Sequence, residues 1–180
     1  VQAAREPPPE HTIGEHIEVW RHGDDVVTCE VKLELGRGAQ AVVYRVKSAG
    51  AVHALKAARV LAVADEARVM LRVNSPQKHP HVLEVNYVCS PAGCDNELVF
   101  LEQLIEGQTL AQLIRDGRLY GGGSEAVSRR LQRMSVQLLS ALAHVHARGV
   151  LHQDVKPDNI MVDTHAWDLC LICLLYTSDA

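Results

Sequence analysis

The sequence predicts an α+β chain in which a five-stranded antiparallel sheet with one helix is followed by the start of an α-helical region. Three observations carry this. From Cys29 to Leu101 short alternating apolar runs are separated by Gly, Pro and Asn turns and interrupted by one helix-period stretch, VADEARVMLRV. From Ser128 to Ala147, Leu131, Met134, Leu138, Leu142 and Val145 recur at spacings of three and four, and Gly149 stops the helix. Between that helix and two short apolar runs stands a polar stretch, His152 to Asn159, reading HQDVKPDN.

Composition sets the bounds. The 180 residues are 47% hydrophobic and 22% charged, an ordinary globular balance, and the net charge of −4 leaves no basic footprint for nucleic acid or an anionic membrane. No apolar run approaches the ~18 residues that would span a bilayer. The five cysteines, Cys29, Cys89, Cys94, Cys170 and Cys173, are an odd set that favours free thiols in a reducing, cytoplasmic compartment over a disulfide scaffold or zinc site. The chain opens at Val1 with no signal-peptide or transit pattern.

Taken in order, residues 1–27 begin with Pro7, Pro8 and Pro9 and read as a linker. His11, His16 and His22 are five and six apart and do not share a helical face, so no metal site is expected of them. A hairpin follows: Val31, Leu33 and Leu35 face one way, then GRGAQA, then Val42, Val43, Tyr44 and Val46. Gly36 and Gly38 permit φ angles closed to other residues and leave backbone amides open to phosphates, which is how such loops cover a nucleotide.

The strand from Ala51 to Ala58 carries Lys56 between Leu55 and Ala57, and a cation in an apolar strand needs an acid, since unpaired burial is costly. The next helix supplies Asp65 and Glu66; Glu66 is the expected partner and Asp65 its rival. After a polar stretch, Asn74 to Lys78, two more strands lie near Leu83–Cys89 and Leu98–Leu101. LEQLIEGQTL then turns at Gly107 into the helix TLAQLI, Gly121 to Ser124 form a flexible loop, and helix 128–147 anchors the HQDVKPDN loop. His144 and His146 read as structural.

GRGAQAVVY, HALK and HQDVKPDN, in that order, resemble the eukaryotic protein kinases of the serine/threonine branch over residues 28–172. The resemblance implies a kinase-like fold with a small lobe over 28–102, a hinge over 103–106 and the start of a large lobe over 107–172. It implies ATP and Mg2+ as cofactors and a protein substrate. Gly36, Arg37, Gly38 and Ala39 would cover the phosphates, Val43 and Ala54 would sandwich adenine, and Gln103, Leu104 and Ile105 would offer backbone groups to it. Lys56, held by Glu66, would clamp the α and β phosphates. Asp154 would orient the substrate hydroxyl, Lys156 would meet the transferred phosphoryl, and Asn159 would be a magnesium ligand.

Departures from the pattern are informative. Ala41 replaces a third glycine, and Gln153 stands where most of the family has an Arg that receives an activating phosphate. Either Leu101 or Glu102 guards the back of the adenine site. A full domain of this kind needs roughly 250 residues, so the chain reads as a fragment. An Asp-Phe-Gly that binds magnesium is expected from position 173, where the sequence instead reads CLLYTSDA. That string resembles one reading frame of a sequencing adapter, and residues 173–180 are expected to be non-native. The alternative function is a nucleotide-binding pseudokinase scaffold.

Overall fold

The computed structural model describes residues 7–20, 26–91 and 94–172. They divide into two units, Val1–Ala67 with Val85–Leu104 and Arg68–Glu84 with Ile105–Ala180. The suspected tail from Cys173, together with His22, lies outside the described residues.

The first unit is an antiparallel sheet of six strands, β1 (His16–Trp20), β2 (Val26–Arg37), β3 (Ala41–Ser48), β4 (Ala51–Arg59), β5 (Val85–Cys89) and β6 (Glu97–Gln103), in the order β1-β2-β3-β4-β6-β5. One face is the core: Ile17, Val19, Cys29, Val31, Val42, Tyr44, Val46, Leu55, Ala57, Val99 and Leu101 form one buried cluster. The alternation expected of half-buried strands is clearest in β3, where Val42, Tyr44, Val46 and Ser48 point inward and their neighbours do not.

Two expectations change here. The sheet has a sixth strand, because residues 16–20, expected to be linker, pair antiparallel with β2 from His16↔Glu30 to Trp20↔Val26 and bury Ile17 and Val19. The segment before it is also tied down. The His11 amide donates to the Tyr44 hydroxyl at 3.0 Å, and the His11 ring meets Glu97 at 2.7 Å and Glu15 at 2.9 Å. Burial works against a charge on His11, but the hydrogen bonds to Glu97 and Glu15 outweigh it and raise its pKa.

The second change is in β2. A register shift between Val31 and Leu33 sends Val31 to the core and Leu33 to the other face, opposite Arg45; Leu33 and Leu35 are both exposed. Such a bulge inserts one residue into a single strand, so strict alternation cannot carry through it.

Helix α1 (Val60–Asn74) starts directly after β4, with no connecting loop, and buries Glu66, Ala67, Val69, Met70 and Val73 on one face. In the second unit, Asn74 donates to the carbonyls of Met70 and Leu83, fastening the end of α1 to the next loop. A two-residue strand β7 (Gln108–Thr109) leads into α2 (Leu110–Arg115), started by a reciprocal cap between Thr109 and Gln112. A 3₁₀ turn at Arg118–Tyr120 precedes α3 (Gly123–His146), which begins inside the stretch expected to be a flexible loop. The buried face of α3 is Met134, Gln137, Ala141 and Val145, rather than the full leucine stripe. Leu131 is exposed, as are Val136 and Leu139, because Gln137 takes an inward position: its amide oxygen accepts from the Leu169 N–H at 3.0 Å and its amide nitrogen donates to Asp168. His144 accepts a structural role, its Nε2 lying 3.1 Å from the Val73 carbonyl.

Strands β8 (Ile160–Asp163) and β9 (Asp168–Leu171) form a hairpin, and β7 pairs with β8. Gly107 matters for close approach rather than for turning: a Cβ built there would lie 2.2 Å from the Val162 carbonyl oxygen. Backbone cannot swing aside as a side-chain tip can, so Gly107→Ala is expected to cost about 3 kcal/mol or more. For a domain of this size that is a fall in Tm on the order of 10 °C, read by a thermal melt; an unchanged Tm would mean β8 moves freely.

Candidate functional site

Within the first unit, register decides what shares a face with Lys56. Val43 pairs with Lys56 and Lys56 with Phe100; Arg45 pairs with Ala54 and Ala54 with Glu102. The face opposite the core therefore presents Val43, Ala54, Lys56, Phe100 and Glu102 together, so the two residues expected to sandwich adenine lie beside the expected phosphate clamp. Leu101 belongs to the core cluster, and Glu102, 7% exposed, is the residue left on the Lys56 face. Of the two, alternation puts Glu102 on the face that carries Lys56.

Lys56 Nζ lies 2.5 Å from Glu66 Oε1, with side-chain exposures of 14% and 8%, so the lysine's partner is Glu66. Asp65 is exposed. The ammonium also stands 5.3 Å from the centroid of the Phe100 ring, an electrostatically favourable placement. Burial drives the Glu102 carboxyl up to about 7, Lys56 works against this and Glu66 adds to it.

Because the folded state holds the proton more tightly than the unfolded chain, Glu102 stabilises less as pH rises from about 4.5 to 7. Glu102→Gln stays neutral, so its stability relative to the wild type should improve by ~3 kcal/mol between pH 4.5 and 7.5, as measured by denaturant unfolding at each pH. A constant difference would place the carboxylate in contact with water.

The hairpin joining β2 to β3 holds Gly36, Arg37, Gly38 and Ala39, all exposed. Neither glycine has a positive φ, contrary to the conformational argument made for them; what they provide is space, since a Cβ at Gly36 would meet nothing within 4 Å and one at Gly38 only the Ala41 carbonyl at 3.6 Å. Arg37 is bonded to Glu34 at 2.7 Å and Glu10 at 2.6 Å. The expected adenine-contact stretch ends β6: Gln103 is exposed and Leu104 half-buried, and Ile105 opens the second unit.

In the second unit the loop after α3 gathers its polar groups on Asp154. Asn159 Nδ2 donates to the Asp154 carbonyl at 2.8 Å and to its Oδ2 at 2.9 Å, and Lys156 Nζ lies 2.6 Å from the same Oδ2. The hydrogen bond from Lys156 holds the Asp154 carboxyl below its ordinary range, with Asn159 assisting against a smaller opposing effect of burial. Asp154 is thus an anion at neutral pH, an acceptor aimed by two neighbours.

His152, 2% exposed, supports the loop from beneath: its Nε2 is 3.2 Å from the Ile172 carbonyl and its Nδ1 accepts from the Asp154 N–H at 3.3 Å. Burial lowers its pKa, so it serves as a neutral hydrogen-bonding post. Gln153 takes φ +58 and is exposed, while Asp154 beside it is half-buried. Ile172 N–H donates to the Asn159 carbonyl at 2.9 Å, so the β8–β9 hairpin returns the chain beside Asn159. Both bonds made by the Asn159 side chain use its nitrogen, leaving the amide oxygen as the atom suited to a hard cation such as Mg2+. Among the described residues there is no cluster of three His, Cys, Asp or Glu that could hold a metal by itself. Cys29, Cys89, Cys94 and Cys170 are free thiols.

A family model described as protein kinase domain matches residues 29–172. The chain is 32% identical over 146 residues to calcium/calmodulin-dependent protein kinase type IV of Mus musculus, covering 77% of this chain and 28% of that protein. It is 35% identical over 137 residues to CBL-interacting protein kinase 4 of Oryza sativa subsp. japonica, covering 72% and 29%. The chain thus spans under a third of these relatives' length. Among solved structures, the M. tuberculosis PknI kinase domain aligns with TM-score 0.66 at 26% identity over 92% of this chain and 61% of that one. Rad53 1-466 in complex with AMP-PNP aligns with TM-score 0.64 at 19% identity, over 79% and 36%, a likeness of fold.

Proposed function

Because this chain belongs to the protein kinase domain family, we propose that the protein it comes from transfers the γ-phosphoryl of ATP to serine or threonine hydroxyls of a protein substrate. The observation that carries the reading is the convergence of Asn159 and Lys156 on one carboxylate oxygen of Asp154, at 2.9 and 2.6 Å. Phosphoryl transfer asks little covalent chemistry of the protein and much positioning. Asp154 accepts the substrate hydroxyl's proton and points its oxygen at phosphorus; Lys156 neutralises charge on the transferred group; Asn159 holds Asp154 in place. Lys56, oriented by Glu66, binds the α and β phosphates, and the open glycine hairpin lets backbone amides reach them. Adenine rests on Val43 and Ala54, with Gln103, Leu104 and Ile105 giving backbone groups to its edge. Magnesium, when bound, neutralises the phosphate oxygens, and the Asn159 amide oxygen is the ligand this chain offers.

A second reading, a nucleotide-binding scaffold without turnover, is favoured by the sequence, which after Ile172, the residue bonded to the Asn159 carbonyl, continues with a cysteine in place of a carboxylate. Resequencing the transcript beyond the codon for Ile172 separates the two. The expected result is an Asp at the next codon, followed by Phe-Gly or a near variant, as an adapter-derived tail requires. A genomic sequence that continues CLLYTSDA would overturn the transferase reading in favour of the scaffold.

A further inference from the structure

The proposed site uses one acid for Lys56, Glu66 from α1, yet the sheet carries a second on the same face. Glu102 stands on the face of the sheet that carries Lys56, next to Phe100, the residue paired with Lys56. Glu66 is 8% exposed and Glu102 7%, so two carboxyls are shielded from water around the one ammonium of Lys56, which is bonded to Glu66. A single cation compensates a single buried anion, and a second anion beside them is uncompensated.

We propose that Glu102 is a positioning residue for Lys56: the grip of the lysine on nucleotide phosphates is set by whether Glu66 alone, or Glu66 and Glu102 together, carries negative charge. The inference rests on the nucleotide-binding reading above.

The two states follow from the geometry. With Glu102 protonated, Lys56 is held by Glu66 at 2.5 Å and directs its remaining donors to phosphate. When Glu102 releases its proton to solvent, its carboxylate draws the ammonium along the sheet and adds negative charge close to where phosphates bind. Both effects weaken nucleotide affinity. Among the described residues of the first unit, the ionisable groups facing Glu102 from the elements around it are Lys56 from β4, Glu66 from α1 and, across Ala54, Arg45 from β3, with Lys47 of β3 and Glu30 of β2 farther along the same face; the β5 partner, Val85, is apolar. The high affinity of Glu102 for a proton puts the changeover near neutral pH. By linkage, binding of phosphate anions at that pH returns a proton to Glu102.

The test uses the full-length protein, wild type and Glu102→Gln, titrated with a non-hydrolysable ATP analogue and magnesium by calorimetry from pH 5.5 to 8.5 in buffers of differing ionisation enthalpy. Ionisation of the analogue is common to both proteins and cancels in the comparison. The expected result is a wild-type Kd that weakens about tenfold more than the variant's as pH rises, the effect of about one pK unit of coupling, with net proton uptake in the wild type only. Glu102→Met, which keeps volume and removes charge, should behave like Glu102→Gln. Parallel profiles for wild type and variants, or equal proton uptake, would overturn the role of Glu102 while leaving nucleotide binding intact. Absence of nucleotide binding by every form at every pH would overturn the nucleotide reading and, with it, the inference.

Discussion

Asp154→Asn in the full-length protein is expected to lower kcat by about 10²- to 10⁴-fold, the range found when a positioned general base is removed, while the Kd for nucleotide stays within a few-fold. The expectation follows from the division of labour in the loop. Asn159 donates to the main chain and the side chain of Asp154, and Lys156 meets the same Oδ2, so the carboxylate is held as an acceptor. Asparagine is nearly the same shape but offers one acceptor oxygen without charge. Its NH2 group, turned toward the Asn159 Nδ2 or the Lys156 ammonium, would meet a donor. Phosphorylation of a protein substrate under saturating ATP, with nucleotide affinity measured separately, checks this. A kcat within threefold of wild type would remove Asp154 from the chemistry and return the scaffold reading to first place.

Lys56→Met should be nearly as damaging, by a different route. Removing a preorganised cation from developing or bound phosphate charge costs on the order of 10²- to 10³-fold, and here the loss falls on nucleotide binding as well as on kcat. It also strands Glu66, whose carboxylate is 8% exposed and 2.5 Å from the missing ammonium. Breaking one side of such a pair is destabilising by about 3–5 kcal/mol, so a lower Tm accompanies the lost activity. The double change Lys56→Met with Glu66→Gln separates these effects: it should recover much of the Tm and none of the rate. Recovery of rate would mean that another residue clamps the phosphates.

The parts of this arrangement that were legible in the sequence share a physical feature: each is a local demand with one available answer. A lysine between Leu55 and Ala57 demands an acid, and the next helix offered two, of which helical phase buries Glu66. An Asp, a Lys and an Asn within six residues after a long helix can meet only in a tight loop. What was not legible depends on distant partners. Nothing in HIEVW shows that β2 lies beside it, and the bulge at Leu33 is a property of two strands together. Gln137 interrupts an apolar stripe because Leu169 and Asp168, over thirty residues on, need its amide. Gly107 was noticed for the wrong reason, since its requirement is set by Val162.

The strand His16–Trp20 bears on where this domain can be cut. A boundary drawn at residue 28, where the motifs begin, would remove the covers of Cys29 and Val31 and leave one side of β2 as a bare edge, a ready template for pairing with another chain. It would also release Tyr44 and Glu97 from His11 and Arg37 from Glu10. Insoluble material from such a truncation would reflect the lost strand and the segment before it, and a boundary before Pro7 keeps β2 covered by β1.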